Sequence, residues 1–127
     1  MKLPEKILVV DDEANMLALC ESVLGKEGYV VTCAASAEEA LTLLEEESFD
    51  LLIADLRLPG MDGMELVRRV KGQQPGLSYL LLTGHGTIQS AVAAMKDGAA
   101  DYLTKPVDVE ELKVVVKKAL EMRRLTR

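Results

Sequence analysis

Asp11-Asp12, Asp55, Thr83-Gly84 and Lys105 carry the side chains best suited to chemistry in this chain: three carboxylates, one hydroxyl and one ammonium. Carboxylates brought close together repel one another and raise each other's pKa unless a cation compensates. A hard divalent ion is the natural compensation. Mg²⁺ takes oxygen ligands, keeps several waters, and commonly completes its shell with one or two carboxylates and a phosphate. Asp11, Asp12 and Asp55 fit that donor set. Lys105 supplies a mobile point charge for phosphoryl oxygens, Thr83 a hydrogen-bond donor to the same group, and Gly84 leaves space and an accessible N–H. Phosphoryl transfer needs positioning and charge neutralisation more than covalent help, so this set suffices for it. No His or Cys cluster suggests zinc: Cys20 and Cys33 lie in apolar patterns without ligand spacing and read as plain buried thiols.

These residues are far apart in sequence, and what must gather them is the fold. Short continuous apolar runs, Ile7 to Val10, Tyr29 to Cys33, Leu51 to Ala54, Tyr79 to Leu82 and Ala100 to Leu103, alternate with stretches of helical period. The helices are expected at about 14–26, 37–47, 64–73, 87–97 and 109–124. That alternation predicts a single α/β domain, a (βα)₅ unit whose parallel sheet is covered by helices on both faces. Ser36 with Glu39, Asp62 with Glu65 and Asp108 with Glu111 have capping-box spacing, and Gly28 and Gly98 suit helix ends. A doubly wound sheet binds its ligand beyond the carboxyl ends of its strands. Each of the polar residues above sits at such an end, which places them on one edge.

Composition narrows the function classes. A chain of 127 residues with 49% hydrophobic and 28% charged residues supports one core, and with only 3% aromatic residues that core is aliphatic. Net charge −6 argues against a broad nucleic-acid footprint. No apolar run approaches a membrane span and the start lacks a signal-peptide apolar region, so a cytoplasmic location is expected. Arg123, Arg124 and Arg127 read as a solvated helix end, and Glu45-Glu46-Glu47 as a solvated helix face.

The order Asp11-Asp12, Asp55 closing the third run, Leu58-Pro59-Gly60-Met61-Asp62-Gly63, Thr83 after the fourth run and Lys105-Pro106 after the fifth resembles the response regulator receiver family over nearly the whole chain. The resemblance implies a flavodoxin-like fold with strand order 2-1-3-4-5, residues 1–122 forming the receiver and 123–127 beginning a linker or tail. It implies Asp55 as phosphoacceptor, charged by a sensor histidine kinase or more slowly by a small acyl phosphate. Mg²⁺ would be held by Asp12 and Asp55, with Asp11 supporting through water and the backbone carbonyl of Arg57 completing the protein ligands. Lys105, before a cis bond to Pro106, would bind phosphoryl oxygens with Thr83 and Gly84. Thr83 and Tyr102 match the family's switch pair, whose signal emerges on the face of the fourth helix, fifth strand and fifth helix. The segment from Thr83 to Pro106 is most similar to receivers that head transcription regulators, either enhancer-binding activators with an AAA+ ATPase module or FixJ-like regulators. An output domain, ATPase or DNA-binding, is therefore an expected partner absent from this chain, and a phosphorylation-dependent homodimer is a further expectation.

Other readings of the same residues stand beside these. An Asp-Asp pair opening a helix also serves as an N-cap, and a Tyr in an apolar run also serves as a core or rim residue. His85 reads as a loop residue that, with Arg57, could tune access of water to an acyl phosphate. The stripe Leu112, Val115, Val116, Ala119, Leu120 and Met122 is either the core face of the last helix or the start of a dimerising linker. A phosphohydrolase with an aspartyl-phosphate intermediate is a competing function, but such enzymes typically place a second acid two residues after the nucleophile, where Arg57 stands here. A phosphorylation-independent interaction module would not need so complete an acidic site.

Overall fold

The computed structural model describes residues 3–84 and 88–126. Five strands and five helices alternate: β1 (Lys6–Val10), α1 (Ala14–Lys26), β2 (Val30–Ala34), α2 (Ala37–Glu46), β3 (Leu51–Asp55), α3 (Gly63–Lys71), β4 (Ser78–Thr83), α4 (Ile88–Lys96), β5 (Asp101–Thr104) and α5 (Val109–Thr126). The strands form one parallel sheet in the order β2-β1-β3-β4-β5. The fold class and strand order expected from the sequence are those observed.

Strand alternation divides the core into two layers. Ile7, Val9, Leu51, Ile53, Leu80 and Leu82 face α1 and α5, meeting Cys20, Leu24, Leu112, Val116 and Leu120. Leu8, Val10, Leu52, Ala54 and Leu81 face α2, α3 and α4, meeting Ala40, Leu44, Leu66, Val67 and Ala94. Both layers are aliphatic, with Phe49 and Tyr79 the aromatic residues buried among the described residues. The expectation that all five runs are buried on both faces needs correction. β1, β3 and β4 are, but β2 and β5 are edge strands with one flank open to solvent, and most of their residues are half-buried or exposed.

The helix ends follow the local chemistry of the sequence. Ser36 Oγ accepts the Glu39 N–H at 3.1 Å, Asp62 Oδ1 the Glu65 N–H at 2.8 Å, and Asp108 Oδ1 the Glu111 N–H at 2.9 Å. The reciprocal arm of the first box is displaced by one residue, since Glu39 Oε2 accepts from Ala35 N–H rather than from Ser36. At the other end of α1, Tyr29 N–H reaches Leu24 O and Gly28 N–H reaches Gly25 O; α4 closes the same way through Ala99 and Gly98. Gly28 and Gly98 hold φ of 97° and 115°, the left-handed geometry this ending requires.

α5 continues unbroken through position 123, and Arg123 is no solvated helix end. Its side chain is 13% exposed, donates to Gly76 O at 2.6 Å and pairs with Asp50 at 3.1 Å, tying α5 to the amino edge of the sheet.

Candidate functional site

Each polar residue singled out in the sequence is delivered to the carboxyl edge by its own strand. Asp11 extends the β1 ladder by one bond, its N–H reaching Ala34 O at 3.1 Å, which carries its carboxylate over the edge and leaves it 0% exposed. Its Oδ1 accepts the Glu13 N–H at 2.9 Å and so turns the chain into α1, while Asp12 stays exposed. Asp55 is the last residue of β3, is 6% exposed, and accepts the Arg57 N–H on Oδ1 at 2.9 Å. One carboxylate oxygen from each of Asp11, Asp12 and Asp55 lies within 4.8 Å of the other two.

Lys105 follows β5. Its N–H donates to Thr83 O at 2.7 Å, and its peptide bond to Pro106 is cis. Its ammonium lies 2.7 Å from Asp55 Oδ2, 2.8 Å from Asp11 Oδ2 and 2.6 Å from Glu13 Oε1. The contact with Asp11 is an ion pair without hydrogen-bond alignment, so Asp11 Oδ2 has no directed donor among the described residues. Thr83 is 0% exposed, and its Oγ1 likewise has no hydrogen-bond partner among the described residues. Native proteins rarely leave such atoms unserved, and both belong to residues at the carboxyl edge of the sheet. Beside Thr83, a Cβ at Gly84 would meet nothing within 4 Å.

Electrostatics bind these groups into one system. Burial pushes the Asp11 carboxyl above its ordinary range, opposed by Lys105 and by the Glu13 N–H. Burial by itself would lower Lys105, but its contacts with Asp11, Asp55 and Glu13 prevail and raise it. The ammonium balances only part of the negative charge of Asp11, Asp12, Glu13 and Asp55, and all the donors are hard oxygens. That donor set fits Mg²⁺ better than a softer metal.

Tyr102 is half-buried on β5 and packs against the layer formed with α2, α3 and α4. His85 lies outside the described residues. Two site residues went unassigned from sequence. Glu13 adjoins the Asp-Asp pair, and only the reach of Lys105 reveals it. Gly63 was noticed as part of a motif, but its role needs coordinates: a Cβ there would stand 2.4 Å from the Asp55 carbonyl oxygen. Next to Lys105 lies an open cleft of about 450 Å³ whose walls include Met16, Leu19, Pro106 and Val107.

Comparison with known proteins gives a consistent answer. Residues 7–117 match the family model described as the response regulator receiver domain. The chain is 44% identical over 118 residues to the transcriptional regulatory protein GlrR of Escherichia coli, covering 93% of this chain and 27% of that protein. To the alginate biosynthesis transcriptional regulatory protein AlgB of Pseudomonas aeruginosa it is 40% identical over 121 residues, 95% of this chain and 27% of that one. It thus spans about a quarter of these relatives. Among solved structures, a receiver domain protein from Clostridium thermocellum superposes with a TM-score of 0.90 at 36% identity, over 97% of this chain and 99% of that one. NtrX from Brucella abortus gives 0.92 at 35% identity, over 98% and 28% respectively.

Proposed function

Because the chain belongs to the response regulator receiver family, whose general mechanism is phosphorylation of an aspartate, we propose that Asp55 is the acceptor here. The observation that carries this assignment is the Lys105 ammonium 2.7 Å from a buried Asp55 oxygen, with oxygens of Asp11 and Asp12 within 4.8 Å. An Asp55 carboxylate oxygen attacks the donor phosphorus. As that bond forms, the bond from phosphorus to the donor breaks, and its electron pair leaves with the donor's imidazole nitrogen or carboxylate oxygen. Lys105 takes phosphoryl oxygens, the Thr83 hydroxyl, without a partner among the described residues, donates to the same group, and the Gly84 N–H lies beside it.

Receiver domains generally bind Mg²⁺ at an acidic pocket, and in this chain Asp11, Asp12, Asp55 and the Arg57 carbonyl are the groups that would hold it. When bound, the ion supplies charge neutralisation for the phosphoryl oxygens. The role is that of a signalling switch rather than a turnover enzyme. The phosphodonor is a sensor histidine kinase, whose phosphohistidine the apolar-walled cleft beside Lys105 would admit. Turning of Thr83 toward the phosphoryl group with inward movement of Tyr102 would carry the signal to α4, β5 and α5, where Val92, Met95 and Val114 are exposed apolar groups that a partner could cover. The output is transcriptional, through an AAA+ ATPase or DNA-binding domain as in regulators of this kind, with residues 1–122 acting as the receiver and 123–127 leading onward. Net charge −6 speaks against DNA contact by this chain itself. No helix among the described residues is long and apolar enough to cross a membrane, in keeping with a cytoplasmic receiver.

The test is incubation with Mg²⁺ and acetyl phosphate followed by intact-mass measurement. One hydroxylamine-labile phosphoryl group is expected on the wild type and none on Asp55→Asn. A wild type that gains no such mass overturns the assignment. Sizing of the beryllofluoride complex tests the proposed homodimer.

A further inference from the structure

Lys105 has three N–H donors, and three carboxylates stand within 2.8 Å of its nitrogen. Asp11 and Asp55 are buried and belong to the acidic pocket, whereas Glu13 is 63% exposed at its side chain and contacts Lys105 from the solvent side. Local folding does not account for that carboxylate. Glu13 occupies the N-cap of α1 yet makes no side-chain capping hydrogen bond, its own N–H being taken by Asp11 Oδ1. Glutamate is in any case not a favoured N-cap residue, so nothing in the helix start calls for it. The side chain is extended toward Lys105, 92 positions away in sequence, across the mouth of the site.

A phosphoryl group arriving at Asp55 needs at least one Lys105 donor, and the ammonium is already hydrogen-bonded to Asp55 and Glu13 and ion-paired with Asp11. The contact with the exposed Glu13 is the one most easily surrendered, because solvent replaces it at little cost. We propose that Glu13 is a positioning residue that holds the Lys105 ammonium in the unphosphorylated state and competes with the phosphoryl group for it. This rests on the assignment of Asp55 and Lys105 above, and adds a threshold to it. Phosphorylation is registered only after Lys105 has been taken from Glu13, so the strength of that exposed contact sets how readily the domain enters its activated state. An exposed ion pair of this kind shifts an equilibrium constant by roughly 1.5- to 5-fold.

Beryllofluoride, a stand-in for the phosphoryl group, separates the threshold from the chemistry. Its affinity would be measured at saturating Mg²⁺ and low ionic strength on wild type, Glu13→Gln, Glu13→Asp and, as a remote charge control, Glu110→Gln. Glu13→Gln removes the charge. Glu13→Asp keeps it but is one methylene shorter, and an aspartate at an N-cap turns back to the helix N–H groups. Both Glu13 variants are expected to bind about 1.5- to 5-fold more tightly than wild type with no loss in urea midpoint, and the gain of Glu13→Gln shrinks in high salt. Glu110→Gln is expected to match wild type. Unchanged or weaker binding by Glu13→Gln overturns the proposal. A Glu13→Asp variant that matches wild type while Glu13→Gln binds more tightly also overturns it, since overall charge and not contact with Lys105 would then be at work. Wild type that fails to bind beryllofluoride defeats the Asp55 assignment and this proposal with it; binding by wild type with no gain in Glu13→Gln removes the Glu13 role alone.

Discussion

Replacing Gly63 by alanine should displace the end of β3, which carries the proposed acceptor Asp55, without touching the carboxylate itself. Gly63 opens α3 against the end of β3, and its N–H donates to Leu56 O at 3.1 Å, so the two backbones are pinned together. A Cβ at this position would lie 2.4 Å from the Asp55 carbonyl oxygen and 3.1 Å from both the Asp55 carbonyl carbon and Leu56 Cα. Real Cβ atoms do not approach closer than 3.0 Å, so the Asp55–Leu56 peptide or the start of α3 must move by at least 0.6 Å. Both neighbours are backbone and cannot swing aside as a side chain would. Overpacking of this kind costs about 1 to 3 kcal/mol in stability. The same movement shifts Asp55 relative to Lys105 and Asp11. A misplacement of about 1 Å costs up to roughly 10²-fold in rate, so about tenfold is expected for the smaller shift here. The assay is the initial rate of Asp55 phosphorylation by acetyl phosphate at saturating Mg²⁺, alongside urea denaturation. Ser36→Ala, losing the α2 cap for about 1 kcal/mol, is the comparison, and it should be destabilised yet phosphorylate at the wild-type rate. A Gly63→Ala protein with wild-type stability and a rate within about twofold of wild type refutes the reasoning, because the clash would then have been absorbed elsewhere.

Alkaline solution should weaken the fold through Cys20. Burial pushes its thiol from an ordinary value of 9.0 up to about 12, so between those values the folded chain keeps a proton that the unfolded chain loses. Stability is then fully present below pH 9 and falls as pH rises through the window, by about 1.4 kcal/mol per unit from this group. Urea denaturation across that range should show a shallower decline for Cys20→Ala, and parallel curves would contradict the assignment. Arg123→Ala removes the contacts with Gly76 and Asp50 from a side chain that is 13% exposed, and should lower stability by about 1 to 2 kcal/mol without slowing phosphorylation. A loss of rate there would mean that the amino edge of the sheet communicates with Asp55.

Strand positions, helix boundaries to within a residue or two, and the residues at the strand ends were legible because each rests on local signals, whereas the strand order came from the family resemblance. Apolar runs mark strands, capping spacing marks helix starts, and glycines with positive φ mark helix ends. The apolar runs did not show which strands lie at the edges: β2 is as apolar as the central three, and in β5 the polar Asp101 and Thr104 are the local sign of an edge. Arg123 was misread for a related reason. Three arginines near a helix end resemble a solvated cluster, and only the fold brings Asp50 and the Gly76 carbonyl within reach of one of them. Gly63 and Glu13 needed distances of a few tenths of an ångström and a contact spanning 92 positions, neither of which periodicity encodes.

The part of the site that was legible and the part that was not differ in kind, and the difference bears on how such a switch is built. Strand ends place Asp11, Asp55, Thr83 and Lys105 through backbone hydrogen bonds in a rigid aliphatic sheet, which fixes their positions before any ligand arrives. What remains adjustable is the single ammonium and the carboxylates that share it. Asp11 is held at 0% exposure with its carboxyl shifted up by burial, a shift that Lys105 opposes. On the proposed assignment, the Lys105 ammonium is a resident cation that must be shared anew when a second cation or a phosphoryl group enters. In the proposed switch that redistribution of charge would be expressed in the Thr83 hydroxyl, the half-buried Tyr102 and the exposed Glu13.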